Sequence, residues 1–249
     1  MEQVALVTGA GSGIGLATAL HLAGLGFSIF AAVEGRAEDV KTIADLCRER
    51  GAPEAELGAC DLSQPGAAEG MVAAALARFS RVDVLVNVAG LRCQKPFGTF
   101  TQADFDLLMA VNVGGAFFAS QAVLPAMRAQ GGGRIIHVAS QMGTVAAPLN
   151  TIYGMTKAAL IRLAKSMALE LSADDILVNT VSPGPIGTAF LEKRYEGDPE
   201  ARAGMVGRVP MGRFGTAEEI AEVIGFLATS KGRFLQGADL VVDGGYIIH

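Results

Sequence analysis

Seven short apolar runs recur along the 249-residue chain, and a stretch with helical spacing follows most of them. The runs are VALVT (4–8), SIFAAV (28–33), AELGA (55–59), VDVLVNV (82–88), GRIIHVA (133–139), ILVNTV (176–181) and ADLVV (238–242). Most are apolar throughout rather than alternating, which is the pattern of strands covered on both faces. Helical spacing falls between them at about 13–25, 37–50, 66–79, 104–129, 152–172 and 217–229. This alternation predicts an α/β chain, a doubly wound parallel sheet of about seven strands with helices on both faces. No Pro/Ser-rich linker, repeat or charge block divides the chain, so residues 1–249 read as one domain. The long polar excursion is 185–216, and one of that length inside a compact domain reads as a substrate-binding loop or lid.

Composition narrows the partners. Net charge is −5 with both signs interspersed, and no basic run suggests nucleic acid. No apolar run reads as long enough to span a membrane, and MEQVALVTG enters a strand at once, so neither a membrane partner nor a leader is expected. Cys47, Cys60 and Cys93 are widely separated and odd in number. They suit reduced thiols in a cytoplasmic protein, not a disulfide frame or a metal cage.

Chemistry-bearing residues gather at predicted strand ends. VALVTGAGSGIG is a strand, a glycine-rich turn and a helix start, with Gly9, Gly13 and Gly15 spaced as Gly-x-x-x-Gly-x-Gly. Such a turn admits a pyrophosphate to the backbone and to the helix N-terminus. It is no Walker loop, because no Gly-Lys-Ser/Thr follows. Asp61 follows the third strand, where it can accept from an adenine amino group or cap the next helix. Asn87, Ala89 and Gly90 end the fourth strand, where small residues leave room for a ribose or merely make a turn. In IYGMTK, Tyr153 and Lys157 lie four residues apart and so share one helix face.

With TGAGSGIG, NVAG, Asn112, Ser140 and YGMTK in this order, and Ser140 thirteen residues before Tyr153, the sequence resembles the short-chain dehydrogenases/reductases over nearly its whole length. The resemblance implies a Rossmann-like fold and an oxidoreductase that moves a hydride between a nicotinamide cofactor and a secondary alcohol or ketone. It places Asn112, Ser140, Tyr153 and Lys157 in the catalytic positions. Tyr153 would be the general acid or base, Lys157 would stabilise its phenolate and hold the nicotinamide ribose, Ser140 would hold the substrate oxygen, and Asn112 would hold a water behind Lys157. Cofactor contacts are implied at Gly9, Ser12, Gly13, Ile14, Gly15, Glu34, Asp61, Leu62, Asn87, Ala89, Gly90, Tyr153, Lys157, Pro183, Gly184, Ile186 and Thr188. The family usually carries two asparagines where this chain has Asn87-Val88, so Val88 is expected to change local packing.

An acidic residue near the end of the second strand binds the ribose 2′-OH of NAD and repels the phosphate of NADP. Glu34 and the uncharged Ser12 favour NAD, and Arg36 is the opposing feature. Substrate contacts are expected at Gln94, Ser140, Gln141, Met142, Asn150, Tyr153 and Pro185. Arg92, Lys193 and Arg194 read as solvated surface rather than as anion contacts. Two other readings stay open, a 3-oxoacyl-carrier-protein reductase using NADPH and a nucleotide-binding sensor or scaffold without turnover. The resemblance implies a homotetramer built through 104–129 and 152–172, and Ile161, Leu163, Met167 and Leu169 put apolar groups on more than one side of the second helix. The apolar tail of LVVDGGYIIH suggests a second contact.

Overall fold

A computed structural model describes residues 2–35 and 37–248, with no side-chain description for 37–41, Phe190 and Arg194. Arg36, the feature opposing NAD, and the side chain of Arg194, read as solvated surface, therefore lie outside what is described.

Seven strands form one parallel sheet: β1 Val4–Thr8, β2 Ser28–Val33, β3 Ala55–Ala59, β4 Val84–Asn87, β5 Gly133–Val138, β6 Ile176–Pro183 and β7 Asp239–Val242. Their order is β3-β2-β1-β4-β5-β6-β7. The helices are α1 Gly13–Gly24, α2 Ala37–Glu49, α3 Ala67–Phe79, α4 Gln102–Met109, α5 Gly115–Ala129, α6 Thr151–Leu171, α7 Ala189–Arg194, α8 Pro199–Val206 and α9 Ala217–Thr229. Strand alternation sorts the core into two layers. Ala5, Val7, Ile29, Val84 and Ile136 pack under α1, α2 and α9. Leu6, Phe30, Leu85, Ile135 and Val178 pack under α3, α5 and α6. This is the doubly wound fold, and β1 and β4 flank the point where the strand order reverses, the place where such sheets bind ligands.

Three readings change. The helix expected at 104–129 begins at Gln102, because Thr101 and Asp104 cap each other reciprocally. It is interrupted by a π-helical turn, Ala110–Gly114, that carries Asn112. By length and hydropathy Gln102–Ala129 could cross a membrane, contrary to the expectation from the sequence; here its inner face packs on α3 and the sheet. The excursion 185–216 is also not simply a loop, since it contains α7 and α8. Asp198 caps α8 and Pro199 stands in its first turn. Leu191, Tyr195 and Phe214, with Met205 and Val206 beside them, give it a small core of its own. Its neck is pinched where Gly187 N donates to Gly215 O (2.8 Å) and Gly215 N to Pro185 O (3.0 Å).

Candidate active site

The carboxyl ends of β1, β2 and β4 open into a cleft of about 400 Å³. The turn between β1 and α1 makes its floor. Gly9 and Gly13 have φ of +66° and +52°, and a Cβ on Gly15 would stand 2.0 Å from Gly9 O, so the turn closes only with glycine there. Ser12 precedes α1 without a side-chain cap, which leaves first-turn N–H groups to an outside acceptor. Thr8 Oγ1 accepts from Val88 N (3.0 Å) and Ala89 N (3.1 Å), tying the end of β4 to the end of β1. Val88 itself packs against the core layer beneath α1 and α9.

Of the sequence-predicted cofactor residues, Gly9, Ser12, Gly13, Ile14 and Gly15 line this cleft, as do Glu34, Asp61, Leu62, Ala89, Gly90 and Thr188. Asp61 also caps the turn before α3: its Oδ1 accepts from Ser63 N (2.9 Å) and Ser63 Oγ (2.6 Å), and these bonds hold its carboxyl below the usual carboxylate range. Asp61 thus lines the cleft and caps this turn, while the N-cap position of α3 is Gly66. Asn87 departs from the expectation. It is 4% exposed, lines neither this cleft nor the neighbouring cavity, and donates from Nδ2 to Ser120 Oγ (3.3 Å), with His137 Nδ1 at 3.2 Å. Strand parity explains this, because Asn87 falls on the face of Leu85, beneath α5.

Beyond Gly90 the cleft runs into a second cavity of about 570 Å³, and Ile14, Val88, Gly90, Leu91 and Thr188 belong to both. Pro183, Gly184 and Ile186 line this second space, with Tyr153 and Lys157. So do Gln94, Ser140, Gln141, Met142, Asn150 and Pro185, the full set of expected substrate contacts. Gln141 is 4% exposed, and its Oε1 is buried without a partner among the described residues. Arg208, within the stretch 185–216 read as a substrate-binding loop or lid, and Tyr246, which the sequence does not single out, also line the cavity. Tyr246 sits in the tail expected to serve only as a contact between subunits.

Of the expected catalytic positions, Ser140, Tyr153 and Lys157 line the second cavity, and Asn112 is buried behind Gly90 and lines neither space. Tyr153 and Lys157 come from successive turns of α6 and Ser140 from the end of β5. Burial raises the Tyr153 phenol, while a hydrogen bond from Ser140 and the charge of Arg92 pull it back. Lys157, expected to supply that pull, stands beside the same ring. Its Nζ lies 5.8 Å from the Tyr153 ring centre and donates to Val138 O (2.8 Å). Lys157 is 4% exposed, and burial draws its ammonium down to about 8. Arg92, read from the sequence as solvated, stands with its guanidinium 5.3 Å from the same ring. Asn112 Oδ1 accepts from Leu91 N (2.7 Å), and Nδ2 donates to Leu91 O (2.9 Å) and Thr156 Oγ1 (3.0 Å). A Cβ on Gly90 would lie 3.3 Å from Lys157 Nζ and 3.4 Å from Asn112 Oδ1, so the absence of a side chain there keeps space beside the ammonium. The residues present fit a dinucleotide: a carboxylate at one end, a glycine turn with uncapped N–H groups in the middle, and a buried ammonium at the other.

A family model described as enoyl-(acyl carrier protein) reductase matches residues 9–247. D-threitol dehydrogenase of Mycolicibacterium smegmatis is 38% identical over 247 residues, which is 99% of this chain and 93% of that protein. The crystal structure of acetoin dehydrogenase from Enterobacter cloacae superposes with a TM-score of 0.90 at 36% identity, covering 100% of this chain and 96% of that one. A 3-oxoacyl (acyl-carrier-protein) reductase from Agrobacterium tumefaciens with NADP bound gives 0.92 at 32% identity, covering 98% and 94%. A glycine turn at the β1–β4 switch point, the Ser140, Tyr153 and Lys157 cluster beside it, and these end-to-end likenesses agree: the chain belongs to the short-chain dehydrogenase/reductase family and is an NAD(P)-dependent oxidoreductase acting on alcohols and ketones.

Proposed function

We propose that the chain interconverts a secondary alcohol and its ketone with Tyr153 as the proton donor and acceptor, and that it prefers NAD. A bound nicotinamide dinucleotide would supply the hydride acceptor or donor. The observation that carries the reading is the placement of Tyr153: it lines the substrate cavity together with Ser140 and Lys157, and that cavity shares Gly90, Leu91 and Thr188 with the nucleotide cleft. A substrate oxygen between Ser140 and Tyr153 would have a donor on each side, and the proton would pass to or from the Tyr153 oxygen. Lys157 would hold the nicotinamide ribose with the N–H groups that Val138 does not use. The Asn112 side chain is committed to Leu91 and Thr156. A relay water would therefore rest on its main-chain carbonyl, in the π-helical turn.

NAD is favoured because Glu34 lines the cleft and, among the described residues, neither Lys nor Arg does. The assembly proposed is a homotetramer. Phe105, Leu107, Phe117, Phe118 and Met155 leave an exposed apolar face on α4, α5 and α6, and Leu169 is 85% exposed. Its compartment would be the cytoplasm, in keeping with three free thiols. The direct test is Tyr153→Phe, which keeps the ring and removes the proton. Turnover on a panel of ketones and alcohols should fall by about 10²–10⁴ while cofactor affinity holds. A variant that retains more than about a tenth of the wild-type rate removes Tyr153 from this role.

A further inference from the structure

We propose that Leu149 is a specificity-determining residue that packs against a hydrocarbon arm of the substrate; the proposal rests on the alcohol/ketone reading of this same cavity. The substrate class is a ketone, or its secondary alcohol, with an apolar chain extending from the carbonyl carbon. Among the described residues, three other than glycine have positive φ: Ser80, Leu149 and Asp175. Ser80 and Asp175 are short polar residues that close helical turns, where left-handed backbone is common. Leu149 follows no helix. Its φ is +66°, it is 44% exposed, and it lines the substrate cavity. A leucine there carries two penalties, left-handed backbone and apolar surface left in water, that glycine or asparagine would avoid. A strained residue kept at a cavity wall points to a role in what the cavity holds.

The turn is tied down on both sides. Leu149 O accepts from Lys95 N (3.2 Å). Asn150 Nδ2 donates to Pro148 O (2.7 Å), and Asn150 Oδ1 accepts from Arg92 Nε (2.7 Å) and Gln94 Nε2 (3.3 Å). These bonds stitch 148–150 to 92–95 and hold the strained conformation, as its persistence requires. They also occupy the amide of Asn150, so this part of the wall is given to the cavity by Ala147, Pro148 and Leu149. The excursion 185–216 adds Leu191 from α7 and Met205 from α8 to the same cavity. Apolar groups thus reach the cavity from the pinned loop and from the excursion, while Ser140 and Tyr153 supply its polar end. A chain on the carbonyl carbon would bury against these groups, and each methylene buried strengthens binding by about fourfold.

The experiment measures kcat/KM for 2-butanone, 2-hexanone and 2-octanone with both cofactors, in the wild type, Leu149→Ala and Leu149→Asn. The wild type should favour 2-octanone over 2-butanone by about tenfold or more. Leu149→Ala should cut that preference by about fivefold or more, with the loss carried by KM for 2-octanone. Leu149→Asn should lose the preference equally while melting no lower than the wild type, because asparagine takes left-handed backbone readily. Its behaviour separates lost selectivity from lost structure. A preference that survives in both variants overturns the proposal. Turnover of 2-butanone with no gain from chain length also overturns it and leaves the alcohol/ketone reading intact. Turnover of none of the ketones counts against that reading, and calorimetric titration of butanamide and octanamide into the cofactor complex then decides this one. Octanamide binding tighter by about tenfold or more, with the difference lost in Leu149→Ala, supports it; equal binding overturns it.

Discussion

Replacing Lys157 by Met should make the cofactor-free protein more stable while stopping turnover. The ammonium is buried, and burial alone draws it from 10.5 to about 8. At about 1.4 kcal/mol for each pH unit, holding the charge there costs roughly 3 kcal/mol at neutral pH. Met fills similar space without charge but forfeits the hydrogen bond to Val138 O, worth about 1 kcal/mol. The expected net gain is about 2 kcal/mol, or roughly 4–8 °C in Tm for a chain of this size. The pH dependence is the sharper signature. Between about 8 and 10.5 the unfolded lysine binds a proton that the folded one has lost, so the wild type gains stability as pH rises through that window. The advantage of the Met variant is therefore full below about pH 8 and fades toward 10.5. Thermal unfolding of both proteins without cofactor at pH 6.5, 7.5, 8.5 and 9.5 measures this. A variant that melts below the wild type at pH 7, or an advantage that does not shrink with pH, would refute the reasoning. The site would then hold its ammonium at no cost.

Glu34→Arg should move the ratio of catalytic efficiencies for NAD and NADP by about tenfold or more toward NADP, measured at saturating alcohol; a wild type that already favours NADP would refute the charge argument. Hydrogen exchange should show 187–215 gaining protection together when cofactor and a substrate analogue bind, because its pinched neck and small core make it one unit. Equal protection in both states would make it a fixed wall. Sedimentation at micromolar concentration should give four chains, and Leu169→Glu should lower that number; a monomeric wild type would remove the assembly from the account.

The sheet was legible because each strand is a short apolar run and each crossover a helical one. The chemical positions were legible for a related reason: β1, β3, β4 and β5 all deliver their ends to one edge. Asn87 was misassigned although the information was present, since one step of parity from Leu85 turns its side chain under α5. Arg92 was not legible. An arginine in a loop reads alike on either side of the surface, and the partner that fixes it, Asn150, is 58 residues away. Arg208 and Tyr246 depend in the same way on how α8 and the C-terminal turn fold back over the cavity. The π-helical turn around Asn112 is equally silent, because the apolar spacing on either side of it is that of an ordinary helix.

The two joined spaces draw their walls from different parts of the chain. Apart from Val111, Thr188 and Ala189, the nucleotide cleft is built before residue 92, whereas the substrate cavity is built, apart from Ile14, from residues 88–246. Cofactor choice and substrate choice are therefore separable by a single genetic crossover. A chimera joined within β4 would inherit its nucleotide preference from one parent and its alcohol from the other. The seam would fall where Thr8 of one parent accepts from the backbone of residues 88 and 89 of the other, a contact that asks nothing of the incoming side chains. Recombination between distant members of such a family can thus yield working enzymes with new pairings of coenzyme and substrate, without first passing through a point-mutated intermediate.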